Sequence, residues 1–365
     1  MNGNFNIPRK VLIAPLDWGL GHATRCIPLI HAFLDLGSEV VLAASGPQAQ
    51  ILKQEFPQLS LLPLPGYAVR YSKKGSTLAL RLLLQAPRIL KTIREEYLWL
   101  KQVQKTYQFN LIIADNRFGL WHRAVTSIFI THQLQIQIPN SWLEARIQRI
   151  NYRYIQHFKQ CWVPDDTTHA LAGKLSHPQI LPDIPVQYMG LLSRMRKTDT
   201  PLQYKYCFLL SGPEPQRTIL EKQILEQVAQ LETTCLLIRG LPGAQITLPP
   251  TKNCTIIQHA VTNELMQLLA SSEYIICRSG YTSLMELMAM QRKMILIPTP
   301  GQTEQQYLAD YFMQKGWAYA ASQDALDLSS IFADADKYTY QFPELEYFNK
   351  SRLLELLSAI SWHRH

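Results

Sequence analysis

The sequence predicts an α/β protein of two parallel-sheet domains facing each other across a cleft. Three observations predict it. Short β-branched apolar runs alternate with helical patterns from the first strand onward, the order a parallel sheet with crossover helices requires. The alternation gives way to a polar stretch near residue 200 and then begins again. The 365 residues are also too many for one ordinary core but suit two.

Taken in order, Lys10–Leu16 (KVLIAPL) reads as the first strand, closed by the glycine turn Asp17–His22. Helical spacing runs from Ala23 to Leu36, and Gly37 supplies a C-cap. Glu39–Ala44 is the second strand. Leu78–Gln104 is a long helical stretch that Pro87 is expected to kink or split, with Arg81, Arg88, Lys91, Arg94 and Lys101 forming a basic side. Leu111–Ala114 and Ser127–Thr131 read as buried strands of the same sheet, and Ala145–Lys159 as a second basic helix. After the polar stretch 190–204 the pattern restarts: strand Tyr206–Leu210, turn Ser211–Pro215, helix Arg217–Leu231. Cys235–Ile238, Cys254–Ile257, Tyr274–Cys277 and Met294–Pro298 are further strands, and Glu344–Ser361 has helical spacing. The expected organisation is a domain over 1–190, a linker 191–204, a second domain over 205–343, and a terminal helix, 344–365, that packs back.

Composition narrows the function. A hydrophobic share of 47% with 18% charged residues describes a globular chain and excludes a disordered, collagen-like or coiled-coil one. The net charge of +8 is uneven: residues 1–200 carry +11 and residues 201–365 carry −3. Such asymmetry points to an anionic partner for the first half, against the alternative of an ordinary solvated basic surface. No nucleic-acid-binding module is recognisable, so a lipid surface is the expected partner and nucleic acid is not. The cysteines (Cys26, Cys161, Cys207, Cys235, Cys254, Cys277) form no CxxC pair and no metal-ligand spacing. Without an apolar signal region or a membrane-length apolar run, the expectation is a cytoplasmic protein able to make peripheral contact with the inner face of a membrane.

Ligands of open parallel sheets bind beyond the carboxyl ends of the strands, so the strand-end loops are where chemistry is sought. The first is Gly19-Leu-Gly21-His22. Its glycines allow close backbone approach, and the helix that follows favours an anion. It is not a dinucleotide fingerprint: Thr24 occupies the third glycine's place, and no acidic residue ends the second strand at Ala44-Ser45. His22 is placed where a general base can act. Asp115, at the end of LIIA, and His132, after the next strand, are alternative bases, and the three stay open.

A second loop, Cys277-Arg278-Ser279-Gly280-Tyr281-Thr282-Ser283, opens a helix and presents hydroxyls and backbone N–H groups to a phosphate. Glu286 lies one turn beyond Ser283, where its carboxylate can accept from two adjacent sugar hydroxyls. A third loop, from Pro298, opens a helix near Glu304, and Gln305 and Gln306 in its first turn suit neutral hydroxyls. No acidic metal motif emerges: Asp165-Asp166 reads as a helix N-cap and Asp334–Asp336 as a polar loop. No cofactor or metal is expected.

The segment Cys277-Arg-Ser-Gly…Glu286…Pro298…Gln305-Gln306-Tyr307 resembles the donor-binding region of family 28 glycosyltransferases, which make peptidoglycan lipid intermediates and galactolipids. The glycine loop with His22 is similar to that family's, although shorter by one usual glycine. The resemblance implies a GT-B fold of two Rossmann-like domains, a UDP-linked sugar donor in the C-terminal domain, and an acceptor, membrane lipid or lipid-linked glycan, in the N-terminal one. It further implies an inverting, metal-independent transfer. Position by position, Ser283 would touch the diphosphate, Glu286 the ribose, and Gln305 and Gln306 the sugar. Arg278 and the loop His259–Thr262 would lie around the nucleoside. Ser211-Gly212 takes the place of a second glycine loop, from whose usual composition Pro213 and Pro215 depart. Two rivals share the architecture: a nucleotide-sugar epimerase, which needs no acceptor, and a non-catalytic partner protein, which need not bind donor.

Overall fold

The apolar runs of the first half form strands because helices cover both faces of the sheet they join, leaving nearly every strand residue buried. A computed structural model describes residues 6–67, 78–137, 141–241 and 252–362. The first compact unit comprises Met1–Arg70, Leu82–Arg194 and Leu345–His365, and the second Tyr71–Arg81 and Met195–Glu344.

The first unit runs β1 (Lys10–Pro15), α1 (Gly21–Asp35), β2 (Glu39–Ala44), α2 (Gly46–Glu55), β3 (Ser60–Pro63), α3 (Leu78–Tyr107), β4 (Leu111–Asp115), β5 (Thr126–Ile130), α4 (Ser141–Ile155), β6 (Gln160–Val163) and β7 (Val186–Tyr188). Among the described residues its seven strands are all parallel, in the order β3-β2-β1-β4-β5-β6-β7. The core between sheet and helices is built on Leu12, Val41, Ile112, Phe129 and Ile155.

Several expectations change here. Pro87 does not split its helix: α3 is continuous over 30 residues, with Pro87 on an exposed position. The Arg81 side chain lies outside the described residues. The second basic helix begins at Ser141 and ends at Ile155, earlier than expected, because the chain must reach β6, where the Lys159 N–H bonds the Ser127 carbonyl at 2.8 Å. Asp165 and Asp166 cap no α-helix. They accept backbone N–H groups of residues 166–172 and tie a turn that ends in a single 3-10 turn at Gly173–Leu175. The polar composition of 190–204 hides apolar anchors: Leu191, Leu192 and Met195 are buried, and Leu191 N–H bonds the Glu346 carbonyl at 2.9 Å.

The second unit runs β8 (Tyr204–Leu209), α5 (Gln216–Val228), β9 (Cys235–Ile238), β10 (Cys254–Ile257), α6 (Thr262–Ala270), β11 (Ser272–Cys277), α7 (Tyr281–Met290), β12 (Lys293–Leu296), α8 (Thr303–Gln314), β13 (Tyr319–Ala320) and α9 (Leu328–Lys337). Among the described residues its six strands are again parallel, ordered β10-β9-β8-β11-β12-β13. Asp334–Asp336 belongs to α9, not to a loop, because Leu328, Ile331, Phe332 and Ala335 repeat at helical spacing and bury one face. α10 (Lys350–Ser358) starts later than the helical spacing suggested, at the Asn349 cap, whose side chain accepts from Arg352 N–H at 2.9 Å. This last helix belongs to the first unit, where Arg352 Nε donates to the Tyr188 carbonyl at 3.2 Å.

Both sheets reverse their strand order at one place, between β1 and β4 in the first unit and between β8 and β11 in the second. At such a switch point the loops leave in opposite directions and open a crevice at the carboxyl ends of the strands.

Candidate functional site

In the first unit the switch point brings three sequence-predicted residues together. Asp115 is the last residue of β4, paired in register with Pro15 at the end of β1. His22 stands in the first turn of α1, which the glycine loop turns back over the sheet, Gly19 holding φ +77°. His22 Nδ1 lies 2.9 Å from Asp115 Oδ2. His132 follows β5, and its Nδ1 lies 3.0 Å from an Arg25 terminal nitrogen. Arg25 also donates from Nε to Asp115 Oδ2 at 3.0 Å and from its other terminal nitrogen to Asp115 Oδ1. Gly21 begins α1, and the Gly19 carbonyl accepts from Gln48 Nε2 at 3.0 Å, which pins the loop.

Arg25 escaped the sequence reading. It sits among apolar residues of a core-facing helix, where one charge leaves no periodic mark. The signal that can find it is its spacing, three residues after His22 and therefore on the same helix face.

Burial and charge then set the chemistry. Asp115 is fully buried. Burial alone would raise its carboxyl, but the Arg25 charge, followed by His22, outweighs this and holds it at about 2. His22 is lowered from its ordinary 6.5, first by burial and then by Arg25, against the opposing pull of Asp115. A carboxylate only accepts, so His22 Nδ1 carries the proton and Nε2 keeps the lone pair. The His22 side chain remains 14% exposed while both Asp115 oxygens are taken up. The arrangement can therefore remove a proton from a bound hydroxyl at His22 Nε2, with Asp115 orienting the ring.

In the second unit, loops after β8, β11 and β12 meet. Gly212 holds φ +101°, a conformation few side chains tolerate, and a Cβ there would lie 4.0 Å from Thr299 Oγ1. Ser211 precedes it, half-buried. Arg278 does not reach outward. It is 1% exposed and donates to the carbonyls of Ile297 (3.0 Å), Pro298 (3.2 Å) and Gln216 (3.0 Å), so it stitches the three loops together.

Ser279 is likewise turned inward, its hydroxyl donating to the Gln305 carbonyl at 2.7 Å. The Gln305 side-chain oxygen accepts from Thr299 N–H at 2.8 Å. Gln306, next in the same turn, is exposed. Gly280 is the N-cap of α7 with extended backbone, and the space where its Cβ would stand is open. Thr282 and Ser283 are half-buried in the first turn beyond it, and Glu286 is buried one turn on. A helix start with open space before it and no acidic residue in its first turn suits a phosphate. Sequence reasoning also missed Arg239 at the end of β9. It bonds Glu221 Oε2 at 3.0 Å and Gln258 Oε1 at 2.8 Å.

Comparison with known proteins bears on the family and the fold. Residues 212–352 match the family model described as the glycosyltransferase family 28 C-terminal domain. No curated protein matches the sequence. Among solved structures, the chain is similar to the glycosyltransferase of kitacinnamycin, with a TM-score of 0.65 at 12% identity over 96% of this chain and 93% of that one. The glycosyltransferase SnogD from Streptomyces nogalater gives 0.62 at 14% identity, over 96% and 98%. The spinosyn rhamnosyltransferase SpnG, solved with thymidine diphosphate, gives 0.61 at 14%, over 96% and 100%.

Proposed function

Starting from a chain of GT-B fold whose C-terminal unit carries a glycosyltransferase family 28 domain, we propose that it transfers a sugar from a UDP-linked donor to an acceptor hydroxyl with inversion and without a metal. The observation that carries the proposal is the His22–Asp115 pair at the switch point of the first sheet, with Nε2 of a partly exposed imidazole as proton acceptor. The acceptor oxygen loses its proton to Nε2 as it bonds the anomeric carbon. The bond from that carbon to the diphosphate breaks, and its electron pair leaves with the phosphate.

The growing charge on the diphosphate is met by the α7 N-terminus, by backbone N–H groups near Gly280 and by the Thr282 and Ser283 hydroxyls, dipoles already fixed before reaction. Glu286 takes the ribose and Gln306, with Gln305 behind it, the sugar. Arg278 acts by holding the loops, since both of its terminal nitrogens donate to loop carbonyls.

The acceptor is a lipid-borne hydroxyl, with the basic first unit held against an anionic membrane. Supporting this, α4 exposes Trp142 (63%) and Ile150 (51%), with Arg146 stacked 4.0 Å over the Trp142 ring, the mixture that suits an interface. No helix among the described residues is long and apolar enough to cross a membrane. Thermal-shift screening of nucleotide sugars tests the donor assignment. A UDP-sugar should stabilise the chain by mass action, and a panel that moves no melting temperature contradicts it.

A further inference from the structure

Arg25 has no part in the transfer described above, yet it touches two of the three groups considered as bases. A guanidinium can only donate hydrogen bonds. Its Nε and one terminal nitrogen go to Asp115, and the other terminal nitrogen lies 3.0 Å from His132 Nδ1. His132 Nδ1 must therefore accept, and a neutral ring then carries its proton on Nε2. His22 is held the opposite way, since its Nδ1 faces a carboxylate that can only accept. One buried Arg–Asp pair thus fixes two histidines in opposite tautomers.

We propose that Arg25 is a positioning residue that sorts the two histidines: His22 presents a lone pair on Nε2, whereas His132 can offer only an N–H. Asp115 and Arg25 are the charges facing His22, with His132 and the Cys26 thiol, 3.9 Å from Asp115 Oδ2, as the other titratable neighbours. In the transfer reaction this leaves His22 as the single base, because His132 Nδ1 is spent on Arg25. That catalytic half rests on the function proposed above; the sorting of tautomers does not.

Nitrogen NMR of histidine-labelled protein at neutral pH reads the tautomers directly and needs no substrate. In the wild-type chain His132 should show a bare Nδ1 and His22 a protonated one. Arg25→Lys keeps the charge, but its three N–H donors sit on one nitrogen and lack the spread of the guanidinium fork that reaches Asp115 and His132 together, so His132 should become a mixture of tautomers. The double variant Arg25→Met/Asp115→Asn removes both buried charges at once, and should release His132 in the same way if the single variant does not fold. Turnover of Arg25→Lys should drop roughly 10²-fold with donor KM unchanged. A protonated Nδ1 on wild-type His132, or variants that leave its spectrum as it was, overturns the proposal. Intact sorting in a chain that turns over no nucleotide sugar would instead count against the transfer reaction alone.

Discussion

His22 works as a base only through the company it keeps. Replacing it with Ala should lower turnover by about 10²–10⁴-fold, the usual weight of a general base, while leaving donor affinity near wild type. Near-normal turnover would remove it from that role. Because burial and Arg25 lower its pKa from 6.5, the ring of the free enzyme stays neutral as pH falls through 6.5, and the acid limb of kcat/KM should lie below that value. A limb at or above 6.5 contradicts the assignment.

Asp115 carries the matching stability signal. Its folded pKa, about 2, lies under the ordinary 3.8, so its contribution is complete above 3.8 and fades as pH falls towards 2. Asp115→Asn should cost about 3–5 kcal/mol at neutral pH by leaving Arg25 buried and uncompensated, measurable by urea unfolding. At this scale His22, Asp115 and His132 were legible because each ends or follows a strand. Arg25 was not, since its role exists only once α1 lies against β4. Arg278 was legible as a residue of the loop after β11, but that it turns inward onto loop carbonyls was not.

At the scale of elements, the two switch-point loops respond differently to small additions. A Cβ at Gly119, in the loop after β4, would stand 2.1 Å from the Ile93 carbonyl and 2.6 Å from Glu96 Cβ. Gly119→Ala must push that loop off α3. It should cost at least about 1–3 kcal/mol, and an unchanged denaturation midpoint would contradict the packing. Gly280 is the converse case: its Cβ would meet nothing, and its φ of −74° is ordinary. Gly280→Ala should change stability by no more than about 0.5 kcal/mol, yet weaken UDP binding in calorimetry, because the open space is where the phosphate approaches. Unchanged affinity would remove the α7 start from the donor site.

The longer elements were legible because parallel strands buried on both faces read as unbroken apolar runs. β3 and β7 are the edge strands of their sheet and hold no fully buried residue, so neither reads as an unbroken buried run.

For the whole molecule, the charge split of +11 against −3 is the quantity to explain. A basic first unit with Trp142 and Ile150 exposed on α4 should bind vesicles containing anionic lipid, each basic side chain near the surface adding about 1 kcal/mol. Co-sedimentation should weaken with salt and with Trp142→Ala, and binding that ignores lipid charge would remove the membrane from the account.

The most direct measurement is release of UDP from a UDP-sugar, followed with and without a lipid hydroxyl acceptor, in the wild-type chain and in His22→Ala. Transfer predicts release that depends on the acceptor and collapses in the variant while donor binding persists. Consumption of the sugar nucleotide without any acceptor, or equal release by His22→Ala, would contradict it.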